Sequence, residues 1–184
     1  MNMLKRKKSL EWLKAIIIGL LVAFVLRTFL FSSYEVYGVS MLPTVEEGDR
    51  LVINKIGYYI WEPERFDLIV FHANEQEDFI KRVIGLPGET VEYKDDKLYI
   101  NGESIEEKYL EEYKESLNIG KLTGDFQLRH VTGVTIVPEG HIFVLGDNRR
   151  FSKDSRHIGF VKLDDVVGEV NMRYWPLNQF KIMR

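Results

Sequence analysis

An apolar run from Leu13 to Phe31, LKAIIIGLLVAFVLRTFLF, constrains the chain more than any other feature of its sequence. These 19 residues would extend about 28 Å as a helix, at ~1.5 Å per residue. That length matches a hydrocarbon core of roughly 30 Å. Lys14 and Arg27 lie near the two ends, where long basic side chains can reach the headgroup region. We therefore predict one transmembrane helix at residues 13–31.

The charge around this run predicts its orientation. Residues 1–14 carry five basic side chains and one acidic one, a net +4, so within a total of −3 the rest of the chain is −7. A basic flank favours the cytoplasmic side of a membrane. We expect a cytoplasmic N-terminus at residues 1–12 and an extracytoplasmic domain at residues 32–184. The acidic domain lacks the basic surface that binding to nucleic acid requires.

Two alternatives to a membrane anchor remain open. A cleaved signal peptide also has a basic start and an apolar centre, but the following RTFLFSSYEVYG contains no clear small-x-small cleavage site. A buried core helix would tolerate Lys14 and Arg27 poorly, because these side chains are rarely buried.

Beyond Ser32, short β-type runs alternate with turn residues, which predicts a mainly β domain of antiparallel sheet. Single strands are expected in RLVINKI, FDLIVFHA, FIKRVIG and GEVNMRYW, and two strands in VTIVPEGHIFVLGD. Leu86–Glu89 predicts a type II turn, Asp95–Asp96 a hairpin, and Asn101–Gly102 a type I′ turn. The charged region at about 104–137 predicts an inserted subdomain. Within it, we interpret Ile105–Leu117 as a solvated loop rather than a helix.

Ser40 is a candidate nucleophile in the segment GVSMLPT. Gly38 permits close backbone approach and Pro43 stiffens the exit of the turn, although a simple turn also explains these residues. The hydrolase elbow G-x-S-x-G is not matched, because Leu42 replaces its second glycine. Pro43 stands where the S-x-x-K pattern would need a lysine. Ser40 therefore needs a base from elsewhere in the chain.

Histidine and lysine are the two candidate bases. None of the four histidines has a distinctive setting, although a triad partner need not be near in sequence; they are His72, His130, His141 and His157. Lys81 lies among apolar neighbours in DFIKRVIG, and burial can lower a lysine pKa by several units from ~10.4. Lys81 and Arg82 occupy opposite faces of a strand, so one of them is expected to point inward.

A polar segment, GDNRRFSKDSRHIGFV at residues 146–161, completes the set of candidate motifs. It is compatible with a surface loop. It is also compatible with a loop held by an Asp154–Arg156 pair, or by Asp147 with an arginine, that directs a serine hydroxyl toward Lys81. The chain has no cysteine and no H-E-x-x-H motif, so thiol nucleophiles, cysteine-held metals and zincin chemistry have no support.

Four motifs in order after an apolar anchor resemble the type I signal peptidases: GVSMLPT, GDRLVINK, FIKRVIGLPGE and GDNRRFSKDSRHIGFV. Short spacing between motifs is similar to the smaller, Gram-positive-type members. The resemblance implies a membrane-bound serine endopeptidase with a serine–lysine dyad, without metal or cofactor. It implies signal peptides of exported preproteins as substrates, with small residues at positions −1 and −3.

The resemblance also implies roles for individual residues. Ser40 would be the nucleophile and Lys81 the general base, with Ser152 holding the lysine amine in place. The Ser40 backbone N–H would be one oxyanion donor. Gly38 stands where some members carry a serine whose hydroxyl is the second donor.

Three further residues would support the site, and four would contact substrate. Asp154 and Arg156 would form an ion pair that shapes the site, and Asp147 would support it. The walls of shallow apolar pockets are expected from Met41, Leu42, Ile80 and Val83. An aromatic patch at Tyr58–Trp61 is compatible with contact with membrane lipid and equally with a place in the core.

Two rival functions stay open. A self-cleaving serine–lysine regulator of the SOS-repressor type shares the dyad, but the apolar anchor and acidic body argue against it. A non-enzymatic, membrane-anchored β domain that binds secreted partners would be indifferent to the loss of Ser40 or Lys81.

Overall fold

The structure is a computed structural model that describes residues 11–24, 31–55, 62–116 and 120–183. Most of the basic N-terminus, the part of the apolar run at 25–30, and the aromatic patch at Tyr58–Trp61 lie outside these residues. Residues 11–24 form helix α1, whose side chains are exposed. Within the described ranges, no helix has both the length and the apolar character required to cross a membrane.

The described part beyond α1 consists mainly of β-strands. They are β1 (Phe31–Glu35), β2 (Arg50–Asn54), β3 (Leu68–His72), β4 (Asp78–Gly85), β5 (Val91–Lys94), β6 (Lys97–Ile100), β7 (Glu103–Ile105), β8 (Phe126–Gln127), β9 (His141–Leu145), β10 (Val161–Lys162), β11 (Val166–Trp175) and β12 (Lys181–Ile182). Short helices are α2 (Glu111–Ser116), α3 (Leu128–Thr132) and α4 (Ser155–Ile158), and 3-10 turns cover Lys108–Leu110, Leu163–Asp165 and Leu177–Gln179.

The strands form two antiparallel sheets. The large sheet has the order β1-β2-β11-β3-β4-β9-β10, with β12 paired to β11, and the small sheet has the order β7-β6-β5-β8. The predicted mainly β, antiparallel class is therefore confirmed. The expected insertion at about 104–137 contributes β7 and β8 to the small sheet, which also includes the earlier strands β5 and β6.

Several local predictions are confirmed. Gly88 has φ +80° and the Glu89 N–H donates to the Leu86 carbonyl at 3.2 Å, as a type II turn requires. Asp95 and Asp96 join β5 to β6 with positive φ at both residues. Asn101–Gly102 also has two positive φ angles, which fits a type I′ turn between β6 and β7.

Two local predictions are wrong. Residues 134–136 form bends and Val137 has no regular structure, so no strand forms here, although the Val137 N–H and carbonyl pair with Glu89 and Gly88. Residues 108–116, expected as a solvated loop, form a 3-10 turn followed by α2. Leu110 is fully buried and Glu107 is 4% exposed, so these residues anchor the segment to the protein interior.

The sheet order brings distant parts of the chain to β4. β2 and β4 are separated by β11 and β3, so the connection between β1 and β2, residues 36–49, must reach across the sheet to contact β4. Apolar side chains on the large sheet form several core clusters. In one of them, Tyr93 and Leu98 of the small sheet are buried together with Phe143 of β9. This shared core joins the two sheets.

Candidate active site

Ser40 lies near the start of the β1–β2 connection and meets Lys81 of β4. Ser40 begins a turn after Gly38, whose φ of +84° lies in the region that favours glycine. Lys81 Nζ lies 2.8 Å from Ser40 Oγ and donates a hydrogen bond to the Ile80 carbonyl at 2.8 Å. The Lys81 amine therefore contacts the Ile80 carbonyl, which can only accept a hydrogen bond, and the Ser40 hydroxyl, which can also donate one.

The surroundings of Lys81 favour a neutral amine. The residue is 3% exposed, and its Nζ lies 5.0 Å from the centre of the Phe79 ring. Burial lowers the pKa of Lys81 from 10.5 to about 8, although the Asp154 and Asp147 carboxylates act in the opposite direction. A substantial neutral fraction at mildly alkaline pH is what a general base requires.

Arg82, the neighbour of Lys81, is also buried. The sequence predicted one inward residue of this pair, yet Arg82 is only 5% exposed. Its Nε and Nη2 donate to the Asp147 carboxylate at 2.8 and 2.5 Å, and its guanidinium stacks 3.8 Å from the Tyr109 ring centre. Burial acts against the charge, but Asp147 keeps the pKa of Arg82 above its ordinary value. Both faces of β4 are thus buried at this point, with Lys81 on one face and the Arg82–Asp147 ion pair on the other.

The loop at residues 146–156 holds the two expected acidic groups in separate ion pairs. Asp154 pairs with Arg156 at 2.8 Å and accepts the Gly146 N–H at 3.1 Å. Asp147 does not join that pair. It pairs with Arg82 and accepts the Thr44 hydroxyl at 2.5 Å, which ties β4 to the turn that carries Ser40.

Ser152 lies in this loop but is not brought into a hydrogen bond with Lys81. It is 8% exposed, and its Oγ makes no hydrogen bond of ordinary geometry among the described residues. It lies close enough to Asp154 to help lower the pKa of that carboxyl. The amine's hydrogen bonds go to Ser40 and Ile80 instead. Ser152 still packs at the site, because a side chain on Gly146 would clash with Ser152 Oγ and lie 2.5 Å from the Ser40 carbonyl oxygen.

Ser40 and Lys81 lie in a cleft of about 260 Å³. Most of its other lining residues are apolar or aromatic, with Asp78 and Lys153 among the polar ones. Two of the four predicted wall residues, Met41 and Ile80, line it.

The other two predicted wall residues do not line the cleft. Leu42 is half-buried outside it. Val83 is fully buried in a core cluster with Ile69 and Val144, so its predicted role in substrate contact is wrong. Side chains alternate along a strand, so Val83 is on the same face of β4 as Lys81. It lies further along the strand, where the core residues Ile69 and Val144 cover that face.

Sequence reasoning missed a buried polar cluster beneath the loop. Arg149 is 2% exposed and pairs with Glu107 at 2.5 Å. It also donates to the Gly146 carbonyl at 3.0 Å and to the hydroxyls of Tyr93 and Tyr109 at 2.6 and 2.9 Å. Burial acts to raise the pKa of Glu107. The charge of Arg149 and the hydrogen bonds that Glu107 accepts outweigh burial, and the pKa of Glu107 lies below its ordinary value. Nothing in a run of glutamates marks one of them as buried.

Three of the described histidines have partners other than Ser40. Within the described residues, no histidine forms a hydrogen bond with Ser40. His72 contacts Asp78, His141 contacts the Glu139 carbonyl, and His157 lies 3.9 Å from Asp154. The same residues contain no group of three or more histidine, aspartate or glutamate side chains placed to hold a metal ion.

Comparisons with known proteins agree with this fold. Residues 9–175 match the family described as "Signal peptidase, peptidase S26". A signal peptidase I of Bacillus caldolyticus is 54% identical over 176 residues, which covers 96% of this chain and 94% of the relative. A signal peptidase IB of Staphylococcus aureus is 40% identical over 180 residues, with the same coverage.

A solved structure is also similar. The crystal structure of a signal peptidase I from Enterococcus faecalis V583 superposes with a TM-score of 0.57 at 50% sequence identity, covering 60% of this chain and 98% of that one. These likenesses define the chain as a serine endopeptidase, a hydrolase. It belongs to the signal peptidase family, peptidase S26.

Proposed function

We propose that this chain is a membrane-anchored endopeptidase that removes N-terminal signal peptides from exported preproteins through a Ser40–Lys81 dyad. The observation that carries this proposal is the 2.8 Å approach of a buried lysine amine to a serine hydroxyl in an apolar cleft. Membership of the signal peptidase family supports the substrate class.

The chemistry starts with neutral Lys81. Its lone pair takes the proton of the Ser40 hydroxyl while Ser40 Oγ bonds to the scissile carbonyl carbon, and the carbonyl π electrons move onto oxygen. The Lys81 ammonium then protonates the leaving nitrogen as the peptide bond breaks, which leaves an ester on Ser40. Water, deprotonated by the neutral amine, hydrolyses that ester and restores both residues.

The supporting residues act on the position and charge of the dyad. The Ser40 N–H faces the developing oxyanion, and donors of this kind commonly contribute ~3 kcal/mol each. Gly38, which lines the cleft, lets the chain turn closely beside the substrate. Asp154 with Arg156, and Asp147 with Arg82, fix the loop that packs on Ser40. Ser152, in the same loop, packs against Gly146 and leaves no space for a side chain there.

The substrate binds as an extended strand in the cleft. Apolar walls that include Met41 and Ile80 favour small apolar side chains at positions −1 and −3 of the signal peptide, because a cleft of about 260 Å³ leaves little space beside the backbone. Strand-like backbone on both sides, β1 and the start of β4, offers hydrogen-bonding partners for an extended peptide.

The anchor is the apolar run at residues 13–31, with the N-terminus cytoplasmic and residues 32–184 outside. The basic flank and the run's length support this topology. In a right-side-out vesicle preparation, the full chain should resist alkaline carbonate extraction, and external protease should digest the domain. Release of the intact chain by carbonate would contradict the anchor, and complete protection from protease would contradict the orientation.

Cleavage of a labelled precursor by the detergent-solubilised full chain tests the catalytic proposal. The wild type should cut at one site after a small residue, whereas Ser40→Ala and Lys81→Met should bind the precursor without cutting it. Normal cleavage by either variant would reject the dyad. Self-cleavage without cleavage of the added precursor would favour a regulatory protease, and binding that is indifferent to both changes, without cleavage, would favour a binding domain.

A further inference from the structure

Asn148 lies beside Ser40, and its two nitrogens bind two consecutive backbone carbonyls. Its backbone N–H donates to the Ser40 carbonyl at 3.0 Å, and its side-chain Nδ2 donates to the Val39 carbonyl at 3.0 Å. The Leu42 N–H donates to the same Val39 oxygen at 3.2 Å. Because a carbonyl oxygen has two lone pairs, these two donors fix the direction of the Val39 carbonyl.

The direction of the Val39 carbonyl determines where the Ser40 N–H points. The Val39–Ser40 peptide bond is trans, and a trans peptide unit is planar with its C=O and N–H pointing in opposite directions. Any rotation of this unit that moved the Val39 carbonyl off the Asn148 amide would turn the Ser40 N–H by the same angle. Asn148 therefore controls the orientation of this N–H without touching it.

The Ser40 N–H itself is available to an incoming group. Among the described residues it donates to no protein acceptor, whereas the carbonyls of Val39 and Ser40 on either side of it are both paired. Ser40 also lines the cleft together with Lys81. A free donor at the nucleophile, flanked by two fixed carbonyls, is the arrangement that a preorganised oxyanion hole requires.

We propose that Asn148 is a positioning residue for the oxyanion hole, an inference that rests on the proposed function above. Its amide holds the Val39–Ser40 peptide unit so that the Ser40 N–H meets the oxygen of the scissile carbonyl as charge develops there. Loss of a preorganised oxyanion donor typically costs ~10²–10³ in kcat. Without the Asn148 amide the Ser40 N–H is still present but free to turn, so part of its stabilisation of the oxyanion remains. The loss in kcat should therefore be smaller than for removal of the donor, but at least ~10-fold.

Two substitutions remove this contact in different ways. Asn148 is 5% exposed, and the atom facing the Val39 carbonyl must be the NH2, since a carbonyl oxygen cannot donate. Asn148→Asp keeps nearly the same volume and replaces the donor with an acceptor. Asn148→Ala removes the amide without adding charge. Asn101→Asp is a matched control, because the exposed Asn101 uses its side-chain oxygen, which aspartate retains, to accept the Thr90 N–H.

The test compares kcat, KM and pH dependence for cleavage of a labelled precursor peptide by the full chain in detergent. Both Asn148 variants should lose at least ~10-fold in kcat with KM changed less than ~3-fold, because the oxyanion exists in the transition state and not in the bound substrate. The acid limb of the Asn148→Ala pH profile should stay at the wild-type position, since no charge near Lys81 changes. Asn101→Asp should match the wild type in all three quantities.

A peptide aldehyde of the same sequence separates positioning from general damage. Ser40 Oγ bonds to its carbonyl carbon while Lys81 takes the hydroxyl proton and the π electrons move onto the carbonyl oxygen. In the resulting tetrahedral adduct that oxygen uses the same donor as in the transition state. Its affinity should fall in parallel with kcat in both variants, while the melting temperature reports folding separately. If Asn148→Ala does not fold, Asn148→Asp, with its conserved volume, carries the kcat and aldehyde comparisons, measured above its own acid limb so that Lys81 is neutral in both proteins.

The outcomes distinguish this inference from the proposed function. Unchanged kcat or unchanged aldehyde affinity in folded Asn148 variants, with Ser40 and Lys81 still required, would overturn the inference alone. A raised KM with normal kcat, or a displaced acid limb in Asn148→Ala, would assign Asn148 to substrate binding or to Lys81 instead. Normal cleavage by Ser40→Ala would overturn the proposed function itself.

Discussion

At the scale of single residues, Lys81 is subject to two opposing influences. Burial among apolar groups lowers its pKa to about 8, while the carboxylates of Asp154 and Asp147 favour the charged form. The balance sets the pH at which the amine becomes a usable base. Since the neutral form is required, kcat/KM should rise with pH through about 8 and level off above it.

Asp154→Asn should move that limb. Removal of a nearby negative charge makes the Lys81 ammonium less favourable, so the pKa of Lys81 should fall and the acid limb should shift to lower pH by up to about one unit. The maximal rate is expected to fall as well, because Asp154 also holds Gly146 and Arg156. A pH profile of kcat/KM with a peptide substrate measures the midpoint independently of that maximum.

The surface variant Asp125→Asn is the control for this measurement. Asp125 pairs with Lys121 on the small sheet, and it is not among the groups that act on the pKa of Lys81. Its acid limb should coincide with that of the wild type. An Asp154→Asn limb that stays in place or moves to higher pH would contradict the account of Lys81.

At the scale of structural elements, the loop at 146–156 contacts three parts of the fold. Asp147 binds β4 through Arg82, Asn148 binds the β1–β2 connection, and Arg149 binds Glu107 beside the small sheet. The region beside the small sheet thereby holds the catalytic loop in place through the Arg149–Glu107 ion pair. Its contribution to the site is the buried Arg149–Glu107 pair rather than any contact with substrate.

Glu107→Gln should strongly destabilise the protein. The change keeps the shape but leaves the Arg149 guanidinium buried without its anion, and breaking a buried pair in this way typically costs ~3–5 kcal/mol. The free energy of unfolding in urea measures the loss. The double variant Glu107→Leu/Arg149→Met should lose less than the two single changes combined, because no unpaired charge remains.

Asp125→Asn again supplies a contrast, since its ion pair with Lys121 is exposed. Such surface pairs contribute ~0–1 kcal/mol. If Glu107→Gln cost no more than Asp125→Asn, the Arg149–Glu107 pair would not be the support that we infer.

Gly146→Ala tests the packing of the loop on Ser40. A Cβ at this position would clash with Ser152 Oγ and approach the Ser40 carbonyl to 2.5 Å, so the loop or the serine must shift. We expect a stability loss of ~1–3 kcal/mol, the usual cost of overpacking, and at least a ~10-fold loss of kcat/KM because small misplacements of reacting groups are costly. Peptide cleavage and urea unfolding measure the two effects.

Gly124→Ala is the matched control for Gly146→Ala. A Cβ on Gly124 has no heavy atom within 4 Å, so this change should leave both activity and stability close to the wild type. Equal behaviour of the two variants would show that the loop tolerates a methyl group beside Ser40.

At the scale of the whole molecule, the catalytic amine lowers overall stability. A folded-state pKa of about 8 against 10.5 corresponds to about 3 kcal/mol at 1.36 kcal/mol per pKa unit. Because the folded pKa is the lower one, this cost is fully present below about pH 8 and disappears as pH rises through 10.5. The enzyme thus gains its base at the expense of stability at neutral pH.

Lys81→Met should therefore be inactive and yet more stable than the wild type at pH 7. The gain in unfolding free energy should be up to about 3 kcal/mol, reduced by the contribution of the two hydrogen bonds that Lys81 makes. The difference in unfolding free energy should shrink between pH 8 and 10.5. Urea unfolding at several pH values measures it, with Lys121→Met, an exposed lysine with raised pKa, as a control without such a gain. A pH-independent difference would contradict the buried, neutralised amine.

Sequence periodicity predicts the strands of this molecule well, because alternation and turn residues are local signals. It could not show that residues 36–49 reach across β11 and β3 to β4, since strand order is a long-range property. Proximity to Lys81 in sequence made Val83 a candidate for the cleft wall, but it could not show that the same strand face becomes part of the core two residues further on. Glu107 and Arg149 were missed because a buried ion pair needs two partners that the sequence separates by 42 positions.

The rate of acyl-enzyme formation on Ser40 as a function of pH tests the central claim most directly. Rapid quenching of the full chain with a precursor peptide, followed by mass spectrometry, locates the ester and gives its rate. The account predicts an adduct on the peptide that contains Ser40, formed at a rate that rises through about pH 8 and is abolished in Lys81→Met. An adduct on another residue, or a rate independent of pH from mild acid to alkali, would contradict it.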